Sequence, residues 1–367
     1  MKQEITKLIR QSMGYLTLTS LLLLALGCGG GGSSSEPVPE PAQPDHQPEP
    51  EINLMVTAPE EGSAIYLGGT YTGELTPAEI SVTPGDYALG VGLKDSKQYL
   101  KKVVSVQEGS DSMSVELGMG DLQVAKVWQA LFIGVNQVTS PSGTCVSEYT
   151  REELDAAYDF FQWSFKERAE DYSYNTMDWQ FDRRDIDYQV VTLSEENLIS
   201  PQVIEPYISD VNKGDYDLIV TFFRGGAGSS EGCYIDDFKG IAWYDYKVLN
   251  ADASYFTIRY YDDLVGTINA SKQDGADPGM FIHEWLHTTA EWFFPDRGYT
   301  MPKQDDQVVH AAGAYGYSFP WMTWYRDLIS GQVKQGSKYI GIGPEAFLAC
   351  SVRESALGAC DEVSTGN

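Results

Sequence analysis

Residues 283 to 287 read His-Glu-Trp-Leu-His, and the chemistry of that order depends on one backbone conformation. On an α-helix, residues four apart share a face about one turn apart, so His283 and His287 reach a common point, and Glu284 reaches the same space. The flanks agree with a helix. Asp277 is a good N-cap, Pro278 sits where a first-turn proline is tolerated, and Met280, Phe281, Leu286 and Ala290 supply apolar bulk before Pro295 ends the segment. Two imidazoles and a carboxylate at this spacing point to a zinc ion, with Glu284 as the general base of a hydrolase.

Histidine is scarce in the chain: there are four, His46, His283, His287 and His310, and His46 falls in a proline-rich tract. A catalytic zinc takes three protein ligands and leaves a fourth position for water, so a third ligand is needed downstream. His310 is that ligand in our reading. Glu291 lies on the same helix, about 6 Å farther along the axis at about 1.5 Å per residue, and is better placed to support an imidazole than to bind the ion. Phe294 to Gly298 reads as a helix stop and turn that folds the chain back and brings His310 under the metal. Asp305 and Asp306 are the remaining candidates. Tyr315 and Tyr317 are candidates to donate a hydrogen bond to an oxyanion, with Tyr317 preferred, although packing is the plainer role in a chain with 23 tyrosines.

The stretch Phe281 to His287 resembles the zincin superfamily of metallopeptidases. It departs from the metzincin pattern, because the positions for that pattern's Gly and third His hold Ala290 and Phe293. The glutamate ligand of thermolysin-like enzymes has no clear counterpart after His287 either. The resemblance implies an α+β zincin-like catalytic domain, a mixed sheet with the motif on its active-site helix. It further implies one catalytic Zn2+ on His283, His287 and His310, Glu284 as base, and a peptide or protein substrate. Two other readings stay open: a surface adhesion protein whose zincin-like domain binds a ligand without cutting it, and a zinc amidase acting on cell-wall material.

At the N-terminus, Lys2, Lys7 and Arg10 precede an apolar run from Leu16 to Leu26, followed by Gly27-Cys28. That order resembles a bacterial lipoprotein signal peptide, with Ala25 where the lipobox usually has Leu. The resemblance implies loss of residues 1–27, a lipid on Cys28 that ties the chain to a membrane, and a place in the bacterial cell envelope, on the outer membrane or cell surface. The apolar run is too short for a comfortable transmembrane helix. Residues 28–51, rich in Gly, Ser, Pro and Glu, hold too little apolar content for a core and read as a disordered tether. With Cys28 lipidated, Cys145, Cys233, Cys350 and Cys360 remain, an even set that suits export and disulfides. In our reading Cys350 and Cys360 close a C-terminal loop, leaving Cys145 with Cys233, although four cysteines allow three connectivities. The formal charge of -28, from 53 acidic and 25 basic residues, argues against nucleic acid or an anionic membrane surface as partners. Asp236-Asp237, Asp262-Asp263 and Asp305-Asp306 are candidates for structural Ca2+, though none has EF-hand spacing.

Between the tether and the motif the patterning changes twice. Residues 52–118 alternate short strand-like runs, Ala64 to Leu67, Ile80 to Val82, Tyr87 to Val91 and Lys102 to Val106, with turns at Gly68-Gly69 and Pro84-Gly85. On Pro59 to Ala64, Gly73, Thr76-Pro77, Ile80, Val82 and Pro84 to Tyr87, this segment resembles a PEGA domain. That implies a small all-β sandwich, a spacer or adhesive module of bacterial surface proteins.

Residues 124–367 suffice for one sizeable α/β unit. Strands are expected at Val127 to Val135, Tyr188 to Leu193 and Asp217 to Phe223, and helices at Arg151 to Ala169, capped by Thr150, and at Pro201 to Val211. Arg224 to Ser230 is Gly-rich but lacks a phosphate-loop ending and reads as a turn. Gly240 to Tyr244 is a candidate edge strand over the cleft, able to pair its backbone with an extended peptide. Trp321, Trp324 and Tyr325 are expected on a helix beneath the metal site.

Overall fold

The structure, a computed structural model, describes residues 51–109, 112–225, 239–243, 245–260, 266, 268–269, 272 and 280–360. The leader and most of the tether, Cys233, Asp277-Pro278, Asp236-Asp237, Asp262-Asp263 and the glycine-rich turn beyond Gly225 lie outside those residues. No helix among the described residues is long and apolar enough to cross a membrane.

Alternation of apolar and polar side chains builds the first part. Seven strands, β1 (Ile52–Thr57), β2 (Ala64–Leu67), β3 (Thr70–Leu75), β4 (Ala78–Val82), β5 (Gly85–Gly92), β6 (Tyr99–Val106) and β7 (Ser112–Glu116), form two sheets. Their orders are β4-β1-β7 and β3-β2-β5-β6. In β1, Ile52, Leu54 and Val56 are buried while Asn53 between them is exposed, the period of two that a sheet with one inner face requires. These residues meet Ile65, Leu89, Val91, Leu100 and Val104 of the other sheet in one core, giving the small sandwich expected.

The second part reads differently because its central strands are buried on both faces. Its strands are β8 (Lys126–Val135), β9 (Gln137–Thr139), β10 (Val146–Glu148), β11 (Met177–Ile186), β12 (Val191–Thr192), β13 (Leu218–Arg224), β14 (Gly240–Trp243) and β15 (Ser254–Tyr260). The main sheet has the order β11-β8-β13-β15-β14. Its first four strands are parallel, and β14 runs antiparallel on the edge. Along β8, Trp128, Ala130 and Phe132 enter one core and Leu131, Ile133 and Val135 the other, which is why the run is continuously apolar. The first helix, α1 (Arg151–Ser164), opens with a reciprocal capping box: Glu153 N–H donates to Thr150 Oγ1 at 3.2 Å and Thr150 N–H donates to Glu153 Oε2 at 2.8 Å.

Three sequence expectations change. Strand β11 was not anticipated, since an edge strand needs burial at only some positions and its second half, Asp182-Arg183-Arg184-Asp185, is charged and salt-bridged rather than apolar. Tyr188 to Leu193 shrinks to the two residues of β12, with Tyr188 exposed. The helix expected to Val211 stops early as α2 (Pro201–Ile204), tightening into a 3-10 turn, Glu205–Tyr207, around Pro206.

The motif lies on α3 (Met280–Thr288), packed against β14 and β15. Its Phe281, Trp285 and Leu286 join Trp128, Phe132, Trp179 and Phe222 in the larger core. At its end the Thr288 and Thr289 hydroxyls both donate to Trp285 O, at 2.8 and 2.9 Å, where the helix widens into a π turn, Thr289–Phe293. The helix stops at Phe294–Asp296 and the chain turns at Gly298, as expected. There follow α4 (Met322–Ser330), the hairpin β16 (Val333–Gln335) with β17 (Lys338–Ile340), α5 (Pro344–Ala349) and α6 (Val352–Ala356). Cys350 and Cys360 form a disulfide. Cys145 is also disulfide-bonded.

Candidate metal centre

The three histidines of the folded part converge. Each of His283, His287 and His310 offers a ring nitrogen, and these nitrogens lie within 4.8 Å of one another. His283 and His287 come from successive turns of α3, and their Nε2 atoms are 3.3 Å apart. His310 arrives on a 3-10 segment, Val309–Tyr315, that returns after the Gly298 turn. His287 is buried, His283 partly so, and His310 is open to solvent.

The far side of two rings is held. His287 Nδ1 lies 2.9 Å from Glu291 Oε2, and the other Glu291 oxygen accepts the backbone N–H groups of Val308 and Val309 at 2.7 and 3.0 Å. Glu291 thus ties α3 to the residues immediately before His310. Burial alone would raise its carboxyl, but the bonds from His287, Val309 and Val308 hold it below the usual range. An ionised carboxylate only accepts, so in this contact His287 Nδ1 is the donor, and Nε2 faces the other histidines. His283 Nδ1 lies 2.9 Å from the Tyr325 hydroxyl on α4. Burial, with smaller contributions from His287 and His310, holds the His283 imidazole well below its ordinary value; His310, though its side chain reaches solvent, is lowered by the partial desolvation of its ring among these groups and by His287.

Glu284 is buried beside this cluster. Burial pushes its carboxyl up to about 7, against the pull of His287 and of the Ala242 N–H on edge strand β14. Strand and helix approach closely here: a Cβ on Gly240 would stand 2.6 Å from Glu284 Oε1 and 2.7 Å from its Cγ. Only glycine admits this contact.

The donor set fits a metal on this geometry. Two ligands about 2.0–2.1 Å from a tetrahedral zinc stand about 3.3 Å apart. The Nε2 atoms of His283 and His287 already have that separation.

The other sequence candidates have partners of their own or stand apart from any ligand cluster. The Tyr317 hydroxyl donates its one proton to Asp327 Oδ2 at 2.8 Å, so an oxyanion would have to displace that bond. The Tyr315 hydroxyl accepts from Lys303 N–H and Gln335 Nε2, both at 3.1 Å. Asp305 and Asp306 are exposed in left-handed backbone and join no cluster of three ligand-bearing side chains among the described residues. Sequence reasoning placed Tyr325 beneath the site without its bond to His283, and missed the Ala242 N–H, because a backbone donor has no sequence signature.

Residues 51–117 match the PEGA domain family. None of the curated proteins matches the chain. Among solved structures, metalloproteinase-II from Bacteroides fragilis is 10% identical, over 71% of this chain and 79% of that one, with a TM-score of 0.27, a likeness too distant to carry weight below.

Proposed function

We propose that this chain is a zinc-dependent metallopeptidase with a zincin-like catalytic unit. The convergence of His283, His287 and His310 beside a buried Glu284 carries the reading. His283, His287 and His310 would hold the zinc, which when bound would supply Lewis acidity toward a substrate carbonyl and lower the pKa of water toward neutrality. Glu284 takes the proton of the attacking water and delivers it to the leaving amine. The Ala242 N–H and the close approach of Gly240 hold the Glu284 carboxylate in place. Glu291 and Tyr325 fix the planes of the His287 and His283 rings from behind. The outer edge of β14 offers backbone groups along which an extended peptide aligns by strand addition. Tyr317 receives no catalytic role, because its proton is committed to Asp327.

An exported setting suits this reading. PEGA domains occur in extracytoplasmic proteins, and anchoring through a lipid on Cys28 is part of the proposal. Metal analysis of the full-length chain tests the core of it. About one zinc per chain in the wild type, lost in His283→Ala, supports the site, and no zinc in either after reconstitution refutes it.

A further inference from the structure

We infer that the PEGA domain is a working part of the histidine centre rather than a spacer, with Tyr66 as a positioning residue acting through α4. A helix leaves the carbonyls of its last turn without partners inside the helix. In α4 the last four belong to Asp327, Leu328, Ile329 and Ser330. Asp327 O accepts Gln332 N–H at 2.7 Å, Leu328 O accepts Ile342 N–H at 2.9 Å, and Ile329 O accepts Gly343 N–H at 3.0 Å. Ser330 O accepts the hydroxyl of Tyr66 at 2.9 Å, a donor from β2 of the PEGA domain.

Tyr66 is fully buried and serves twice, since Gln332 Nε2 donates to its oxygen at 2.9 Å and to that of Tyr174 at 2.9 Å. The Tyr174 ring in turn covers Gly92 so closely that a Cβ there would stand 2.5 Å from it. Beside this contact Glu345 accepts from Tyr99 at 3.0 Å and pairs with Lys101 at 2.5 Å. The PEGA domain therefore supplies a donor to the buried Ser330 carbonyl and two more to the partly buried Glu345 carboxylate.

The helix held in this way faces the histidines. Tyr325 touches His283 Nδ1, and Trp324 Nε1 donates to Val309 O at 3.0 Å, the carbonyl immediately before His310. One helix thus touches the His283 imidazole and holds the backbone immediately before His310, and its C-terminal end is gripped by the other domain. A rigid helix passes a displacement at Ser330 to Tyr325 little more than one turn away.

The metal arm of the test rests on the metallopeptidase reading, and a second arm does not. The full-length chain is compared with Tyr66→Phe and with Ile204→Val, a control in the core on the opposite face of the sheet. Cobalt(II) titration should show affinity roughly 10-fold or more weaker in Tyr66→Phe, with an altered visible spectrum, and unchanged in the control. Hydrogen exchange on the metal-free proteins should show faster exchange across residues 309–315 and 322–330 in Tyr66→Phe alone. Wild-type cobalt affinity and spectrum in Tyr66→Phe, or unchanged exchange in those segments, overturns the inference. If the wild type itself binds no cobalt, the metal reading falls and the exchange comparison still decides whether Tyr66 braces α4.

Discussion

Glu284 and Glu291 are both buried carboxylates seven residues apart, yet their surroundings push them in opposite directions. Glu291 collects an imidazole and two backbone N–H groups and stays low, whereas Glu284 has one backbone donor and is pushed up to about 7. That division suits an anchor and a base. Glu284→Gln should leave zinc content unchanged and reduce peptide hydrolysis about 10²–10⁴-fold or more, the usual share of a general base. Retained turnover in that variant removes the assignment. Glu291→Ala should weaken zinc binding about 10–100-fold while leaving the three ligands in place, read by competition with a chelating dye.

At the level of elements, the contact between β14 and α3 sets the carboxylate. Gly240→Ala would drive a methyl into Glu284 and to within 2.8 Å of Ile258 Cδ1. Turnover should fall further than thermal stability does, and a variant with full activity would show that the strand shifts freely. A second joint lies where Asp217 accepts Gln129 N–H at 2.8 Å and Arg353 N–H at 2.7 Å, tying β8 to α6. Burial pushes its carboxyl from 3.8 up to about 6, offset in part by those N–H groups, Ser351 and the charge of Arg353. Between these two values the folded protein holds a proton that the unfolded chain has released, so this group's contribution to stability falls as pH rises from about 4 to about 6 and is level above. The swing is at most about 3 kcal/mol, from about 1.4 kcal/mol per pKa unit. Urea midpoints of wild type and Asp217→Asn across that range check it: the difference between them should change with pH below 6 and flatten above.

For the whole molecule, the two parts should unfold together. All eight tryptophans lie at or beyond residue 128, so indole fluorescence reports the second part alone, while far-ultraviolet circular dichroism reports both. Coincident urea transitions are expected, because separation would leave Ser330, Gln332 and Glu345 without the partners that Tyr66, Tyr99 and Lys101 provide. A chain lacking residues 51–117 should lose stability or fail to fold, and an early, separate transition in the dichroism of the intact chain would contradict the coupling.

Local chemistry was legible in the order of residues. The spacing of His283, Glu284 and His287 required a helix, the short runs at Ala64 to Leu67, Ile80 to Val82, Tyr87 to Val91 and Lys102 to Val106 marked β2, β4, β5 and β6, and Thr150 marked the start of α1. The PEGA resemblance was carried by turn residues and strand spacing, which are also short-range signals. What depended on distance in the chain was legible only where residue scarcity pointed to it, as four histidines pointed to His310. The salt-bridged edge strand β11, the Ala242 N–H beside Glu284, the Tyr325 hydroxyl on His283 and the grip of Tyr66 on Ser330 join residues whose separation in sequence says nothing about their meeting in space. Helix and strand periods arise from neighbouring backbone geometry and so are written locally, whereas these contacts exist only once the sheet, the returning 3-10 segment and the two cores have packed.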